Sequence, residues 1–84
     1  MNKEQQKFES WSLIEQAEYT LKFGVFITHR VDKKHLIKLY AVDDFFVELW
    51  YRHFNNHIDR IRSFDCDQIF HRYGDNINIQ DIFS

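Results

Sequence analysis

Between residues 36 and 61 the chain reads LIKLYAVDDFFVELWYRHFNNHIDRI. Two dense apolar runs, LIKLYAV and FFVELWY, flank Asp43-Asp44, and a weaker run follows Asn55-Asn56. Short runs rich in aromatic and β-branched residues, punctuated by Asp and Asn pairs, are the pattern of strands joined by tight turns. Everything else in the chain must pack around that antiparallel unit.

The alternation within the runs predicts a register. A three-residue turn, Val42-Asp43-Asp44, ends in a left-handed residue in a common hairpin geometry, with Asp44 in the strained position. Ala41 then faces Phe45, Leu39 faces Val47 and Ile37 faces Leu49 on one side of the sheet. On the other side Tyr40 faces Phe46, Lys38 faces Glu48 and Leu36 faces Trp50. This gives one apolar face, and an opposite face with an aromatic pair and a Lys38–Glu48 ion pair, both favourable neighbours. A two-residue turn sets Leu39 opposite Glu48 and mixes the faces, so the first register is preferred.

Upstream, residues 1–11 are polar for the most part and expected to fray. Ser12-Leu13-Ile14-Glu15 has the spacing of a capping box, and Leu13, Ile14, Ala17 and Leu21 recur at helical intervals. The expected helix runs over 12–23 and stops at Gly24, with its apolar side laid on the sheet. Residues 25–31 form a first strand and Asp32-Lys33-Lys34 a turn, also of three residues, which pairs His29 with Ile37 and Ile27 with Leu39. The predicted core is Leu13, Ile14, Ala17, Leu21, Val25, Ile27, Ile37, Leu39, Val47 and Leu49. A fourth strand over about 57–63 completes a meander spanning 25–63. Ile58 and Ile61 differ in parity there, so either a bulge reconciles them or one lies on each face. Asp67 to Tyr73 fits a short helix closed by Gly74, within a C-terminal segment over 66–83. The tail carries Ile77, Ile79, Ile82 and Phe83, available to cover the second sheet face, add an element or dock on a partner. The expected fold is α+β in a single domain: an N-terminal helix on a four-stranded antiparallel β-meander, plus a short C-terminal helix.

Composition narrows the function classes. With 84 residues the core is small, and an aromatic content of 18% offsets that because each ring buries a large area. A net charge of −2 does not advertise nucleic acid. The opening MNKEQQKF has no apolar signal core, and no run reaches membrane-spanning length. The lone Cys66 has no internal disulfide partner. These features predict a soluble cytoplasmic protein that does not bind membranes.

Catalysis is not expected. The glycines, Gly24 and Gly74, make no phosphate loop, and no Ser-centred elbow or pair of catalytic carboxylates stands out. Glu48 would be a general base only if buried, and Lys38 is its expected partner. Asp65 and Asp67 raise the thiol pKa of Cys66 and disfavour a nucleophile. His53 and His57 flank the Phe54-Asn55-Asn56 turn and with Cys66 or Asp59 would supply ligands for a metal, but no paired metal-ligand spacing supports one. Neither metal nor cofactor is predicted.

What remains is binding. The predicted second face carries Phe26, Thr28, Arg30, Leu36, Lys38, Tyr40, Phe46, Glu48, Trp50 and Arg52. Arg30, Tyr40, Phe46, Trp50, Arg52 and Arg60 are the candidate partner-binding residues, since Trp, Tyr and Arg are favoured interface anchors. The same mixture of rings and cations suits single-stranded RNA or DNA. The edges of a meander, near 25–31 and 57–63, can extend a partner's sheet. A homodimer is a third use of the surface.

Leu13, Ala17-Glu18-Tyr19, Leu21, Gly24, Ile27, Arg30, Leu39-Tyr40, the run Phe45 to Tyr51, Asn56, Ile58 and Ile61 resemble a family of small bacterial proteins of unknown function. Its pattern is an LAEAEYxL helix, a Gly, then LYLxxGFYVEVWY and NKIxxI strands. The resemblance covers about residues 13–62, with FFVELWY its most specific part. Asp44 stands where that pattern carries Gly. The resemblance implies no activity. Proteins of this kind travel with mobile elements, which implies a role in host–phage or plasmid conflict. On this reading the expected function is a non-catalytic interaction module or inhibitor that binds a larger protein or nucleoprotein, an anti-CRISPR inhibitor of an effector nuclease being one such role.

Overall fold

A computed structural model describes residues 3–73. The elements are α1 (Lys3–Glu9), α2 (Leu13–Phe23), β1 (Val25–Val31), β2 (His35–Val42), β3 (Phe45–Arg52), β4 (Ile58–Phe64) and α3 (Cys66–Tyr73). The strands form one antiparallel sheet in the order β1-β2-β3-β4. The α+β class and the meander are as predicted. Gly74 and the tail residues Ile77, Ile79, Ile82 and Phe83 lie outside the described residues.

Local chemistry accounts for the helices. Ser12 caps α2 through both capping-box bonds, Glu15 N to Ser12 Oγ at 3.2 Å and Ser12 N to Glu15 Oε1 at 3.2 Å. Gly24 ends α2 in an extended conformation, φ −77°. The demand for glycine is one of space: a Cβ there would lie 2.4 Å from the Thr20 carbonyl oxygen. Asp65 and Gln68 make a second reciprocal cap for α3, each side chain bonded to the other's N–H at 2.9 Å. Residues 3–9, expected to fray, instead form α1. Its anchor is Phe8, buried against Trp11, Tyr19 and Phe45.

The register departs from the expected one. Asp43-Asp44 is a two-residue turn, with Asp43, not Asp44, left-handed at φ 52°. Val42 pairs with Phe45, Tyr40 with Val47, Leu39 with Glu48 and Ile37 with Trp50. Asp is among the few residues that tolerate that backbone region, and Tyr19 Oη donates to Asp43 Oδ2 at 2.9 Å. In β1 a bulge at Ile27 shifts the pairing, so Thr28 meets Leu39 and Arg30 meets Ile37. A bulge at Asp59 brings both Ile58 and Ile61 against one core cluster, the first of the two arrangements their parity left open.

Each sheet face therefore has its own cover. Tyr40, Val42, Phe45, Val47 and Leu49 pack with Phe8 beneath the N-terminal helices. Leu39, Ala41, Phe46 and Phe64 pack with Ile69 and Tyr73 of α3 on the opposite face. The expectation of a single apolar face fails because both faces are covered. The predicted core members Ile37, Leu39, Val47 and Leu49 are fully buried. Leu13, Ile14 (68% exposed), Leu21 and Val25 (64% exposed) are not. α2 turns Gln16, Tyr19 and Thr20 inward instead, because Phe8 and Trp11 occupy the sheet surface beside it.

Leu39→Ala should cost about 2–5 kcal/mol, the range for emptying a central leucine site. A urea midpoint that barely moves would contradict the placement of Leu39 between β2 and α3.

Candidate functional site

The face covered by α3 collects the even residues of β3 with Arg60, Arg62 and Phe64 of β4, beside the odd residues of β2. On it stand Arg30, Arg52, Arg60, Arg62 and Arg72, every arginine in the chain. At their centre is Glu48, with no accessible surface. Trp50 Nε1 donates to Glu48 Oε1 at 3.1 Å. Glu48 Oε2 accepts from Arg72 Nε at 3.2 Å, from Arg30 Nη2 at 3.4 Å and from the Tyr73 hydroxyl. Arg30 Nε in turn donates to Tyr73 Oη at 3.0 Å. Burying a carboxylate costs several kcal/mol unless charge and hydrogen bonds compensate it. Here two guanidiniums, an indole and a phenol do so.

The cluster joins β1, β3 and α3. Burial, reinforced by the hydrogen bond to Glu48, pushes the Tyr73 phenol up from 10.0 to about 12. The expected Lys38–Glu48 pair does not form, because the two-residue turn sends Lys38 to the opposite face, with its ammonium 5.2 Å from the Tyr51 ring centre. With its oxygens committed to structural donors, Glu48 is not poised as a base.

Around this centre the cations lie on rings. The Arg30 and Arg60 guanidiniums sit 5.4 and 5.1 Å from the Trp50 ring centre. Those of Arg62 and Arg72 sit 5.3 and 4.9 Å from Phe64. Such contacts contribute about 0.5–2 kcal/mol each and hold long side chains in place. Arg52 bonds Asp59, which also lies 3.0 Å from His35 Nε2. Arg52 and His35 hold the Asp59 carboxyl below its ordinary range.

Of the six residues predicted to bind a partner, Arg30, Trp50, Arg52 and Arg60 share this face. Phe46 is on it but buried beneath α3. Tyr40 belongs to the other face, packed on Phe26 with ring centres 5.7 Å apart. Phe26, Leu36 and Lys38 likewise fall on the side of Tyr40. The sequence reading missed Arg62 and Arg72. The parity of Arg60 and Arg62 was the available signal, but it needed the bulge at Asp59 to assign a face.

The histidines and the cysteine weighed in the sequence make local contacts. His53 Nε2 lies 3.1 Å from the Asp32 carbonyl oxygen. Among the described residues no group of three or more His, Cys, Asp or Glu could hold a metal ion. Burial, and after it Asp65, Asp67 and Asp44, raises the Cys66 thiol pKa. Among the described residues no helix is long and apolar enough to cross a membrane. Comparison with protein-family models, with curated proteins and with solved structures finds no match to this chain.

Tyr73→Phe keeps the ring but removes a donor from Glu48 and should cost about 1–3 kcal/mol. Because the folded phenol is raised from 10.0 to about 12, its contribution is complete below pH 10 and lost as pH rises toward 12. The alkaline fall in stability should therefore be shallower in Tyr73→Phe than in the wild type. Equal slopes in parallel denaturant melts across that range would refute the assignment.

Proposed function

We propose that the protein is a non-catalytic binding module that docks its arginine face on an acidic surface of a larger protein or nucleoprotein. The supporting observation is the gathering of every arginine on one sheet face, braced on Trp50 and Phe64. Arginine forks held on aromatic rings lose less side-chain freedom on binding carboxylates or phosphates than free lysines do. Inhibition of a defence system such as a CRISPR effector nuclease by a mobile-element-encoded protein, which the family resemblance implies, is one role such a module would serve.

A single-strand stacking platform on the same face is the less favoured reading. Trp50 is only 8% exposed, beneath Arg30 and Arg60, and Tyr40 and Phe46 are placed elsewhere. Rings so placed offer bases little surface.

Arg60 is exposed and makes no ion pair among the described residues, so its reversal spares the fold. A tagged copy recovered from its native cell should bring down one dominant larger partner, and Arg60→Glu should lose it with circular dichroism unchanged and stability lowered by no more than one cation–π contact, about 0.5–2 kcal/mol. Binding should also weaken as salt is raised. Arg30→Glu and Trp50→Ala should lose stability as well as partner, since both residues brace Glu48. Capture indifferent to Arg60→Glu and to salt would refute the arginine face as the interface.

A further inference from the structure

The two turns at the far end of the sheet enclose a second feature, which shares only Arg52 with the arginine face. Lys33, Lys34 and His35 from the β1–β2 turn, with Arg52, His53, Phe54 and Asp59 from the β3–β4 turn, line a half-open cleft of about 590 Å3. That size suits a small organic ligand. The walls are stitched together: His53 N donates to the Lys34 carbonyl at 3.1 Å, and the His53 ring reaches the Asp32 carbonyl. Asp32 Oδ1 accepts from the N–H groups of Lys34 and His35 at 2.9 and 2.8 Å, which fixes the first turn.

The lining combines charge with an unsatisfied ring. Lys33, Lys34 and Arg52 stand against the lining carboxylate Asp59 and the Asp32 carboxylate of the first turn, an excess of one positive charge before the histidines are counted. Arg52 is bound to Asp59, while neither lysine makes an ion pair among the described residues. Phe54 is 97% exposed, the most exposed large apolar residue described. A ring left in water at a turn tip contributes nothing to the core, and a flat apolar partner laid on it would remove that area from solvent. A phosphate monoester carries about −1.5 to −2 charges at neutral pH, opposite in sign to that excess. Bases stack on exposed aromatic side chains whatever their identity.

We infer that this cleft binds a nucleoside monophosphate, with the phosphate held by Lys33 and Lys34 and the base stacked on Phe54. The ligand is either free nucleotide or the terminal nucleotide of a single strand, which present the same chemistry. A phosphorylated phenyl group would satisfy the lysines but leave much of the cleft empty.

The test is a calorimetric and NMR titration of the full chain with AMP, adenosine, inorganic phosphate, O-phosphotyrosine and a short oligodeoxythymidylate with or without a 5′-phosphate. AMP should bind more tightly than adenosine, phosphate or phosphotyrosine, and should shift amides within residues 33–35 and 52–59. Phe54→Ala should weaken AMP about tenfold and leave phosphate unchanged. Lys33→Ala with Lys34→Ala should weaken both. A 5′-phosphorylated oligonucleotide that binds more tightly than AMP identifies a strand terminus as the source, and one that does not identifies free nucleotide. No heat and no amide shifts with millimolar AMP would overturn the inference, as would adenosine or phosphotyrosine binding as tightly as AMP. Arg60→Glu, which disables the arginine face, should leave AMP binding intact, so the two proposals fail separately.

Discussion

A carboxylate without solvent access can exist in this sheet only because side chains from three elements converge on it. Glu48 sits on a central strand, Arg30 on the edge strand β1, and Arg72 and Tyr73 on α3. Removing one partner of such a cluster leaves charge in a low-dielectric site, which is far worse than never having buried it. The same interactions fix the seat of α3, because its last turn carries two of the donors. They also fix which way β1 presents Arg30. Hydrophobic contacts alone, between Ile69 and the Leu39–Phe46 surface, would leave a short helix freer to slide or rotate.

The sequence made the elements from α2 onward legible and the register illegible, for a reason that lies in Glu48. Strand limits followed from Asp and Asn pairs, and α2 from a capping box, both of them signals local to a few residues. Register was judged by asking which pairing keeps charged residues off an apolar face. That criterion holds where one face meets solvent. Here both faces are covered, and the mixed pairing of Leu39 with Glu48 is stabilised by donors 18 and 24 residues away in sequence. No local rule reports such partners. The one-residue change of turn then carried Tyr40 away from Trp50 and divided the candidate site between two faces.

The misplaced helix face has a related cause. Leu13, Ile14, Ala17 and Leu21 have the spacing of a buried stripe, yet α2 lies on the sheet through Gln16, Tyr19 and Thr20. Periodicity reports that a stripe exists, not which neighbour it meets. Phe8 and Trp11, in a stretch otherwise too polar to announce a helix, build an aromatic group with Tyr19 and Phe45 that sets the rotation of α2. One buried phenylalanine outweighs a weak propensity signal, because tertiary packing and not intrinsic preference supplies most of the stability of so short a helix.

The partition of cations follows the same logic of geometry over count. Lysines occur on α1, α2, β2 and the first turn, whereas arginine is confined to a single face. A net charge of −2 hides that separation. Guanidinium is planar and weakly hydrated, so it can lie on Trp50 or Phe64 and still present its edge outward, which an ammonium does poorly. Arg30 and Arg72 spend part of that capacity on Glu48, and Arg52 spends its own on Asp59. Arg60 and Arg62 rest on rings alone among the described residues. These two arginines, held in place on rings and without an ion pair among the described residues, are the least committed cations of the face.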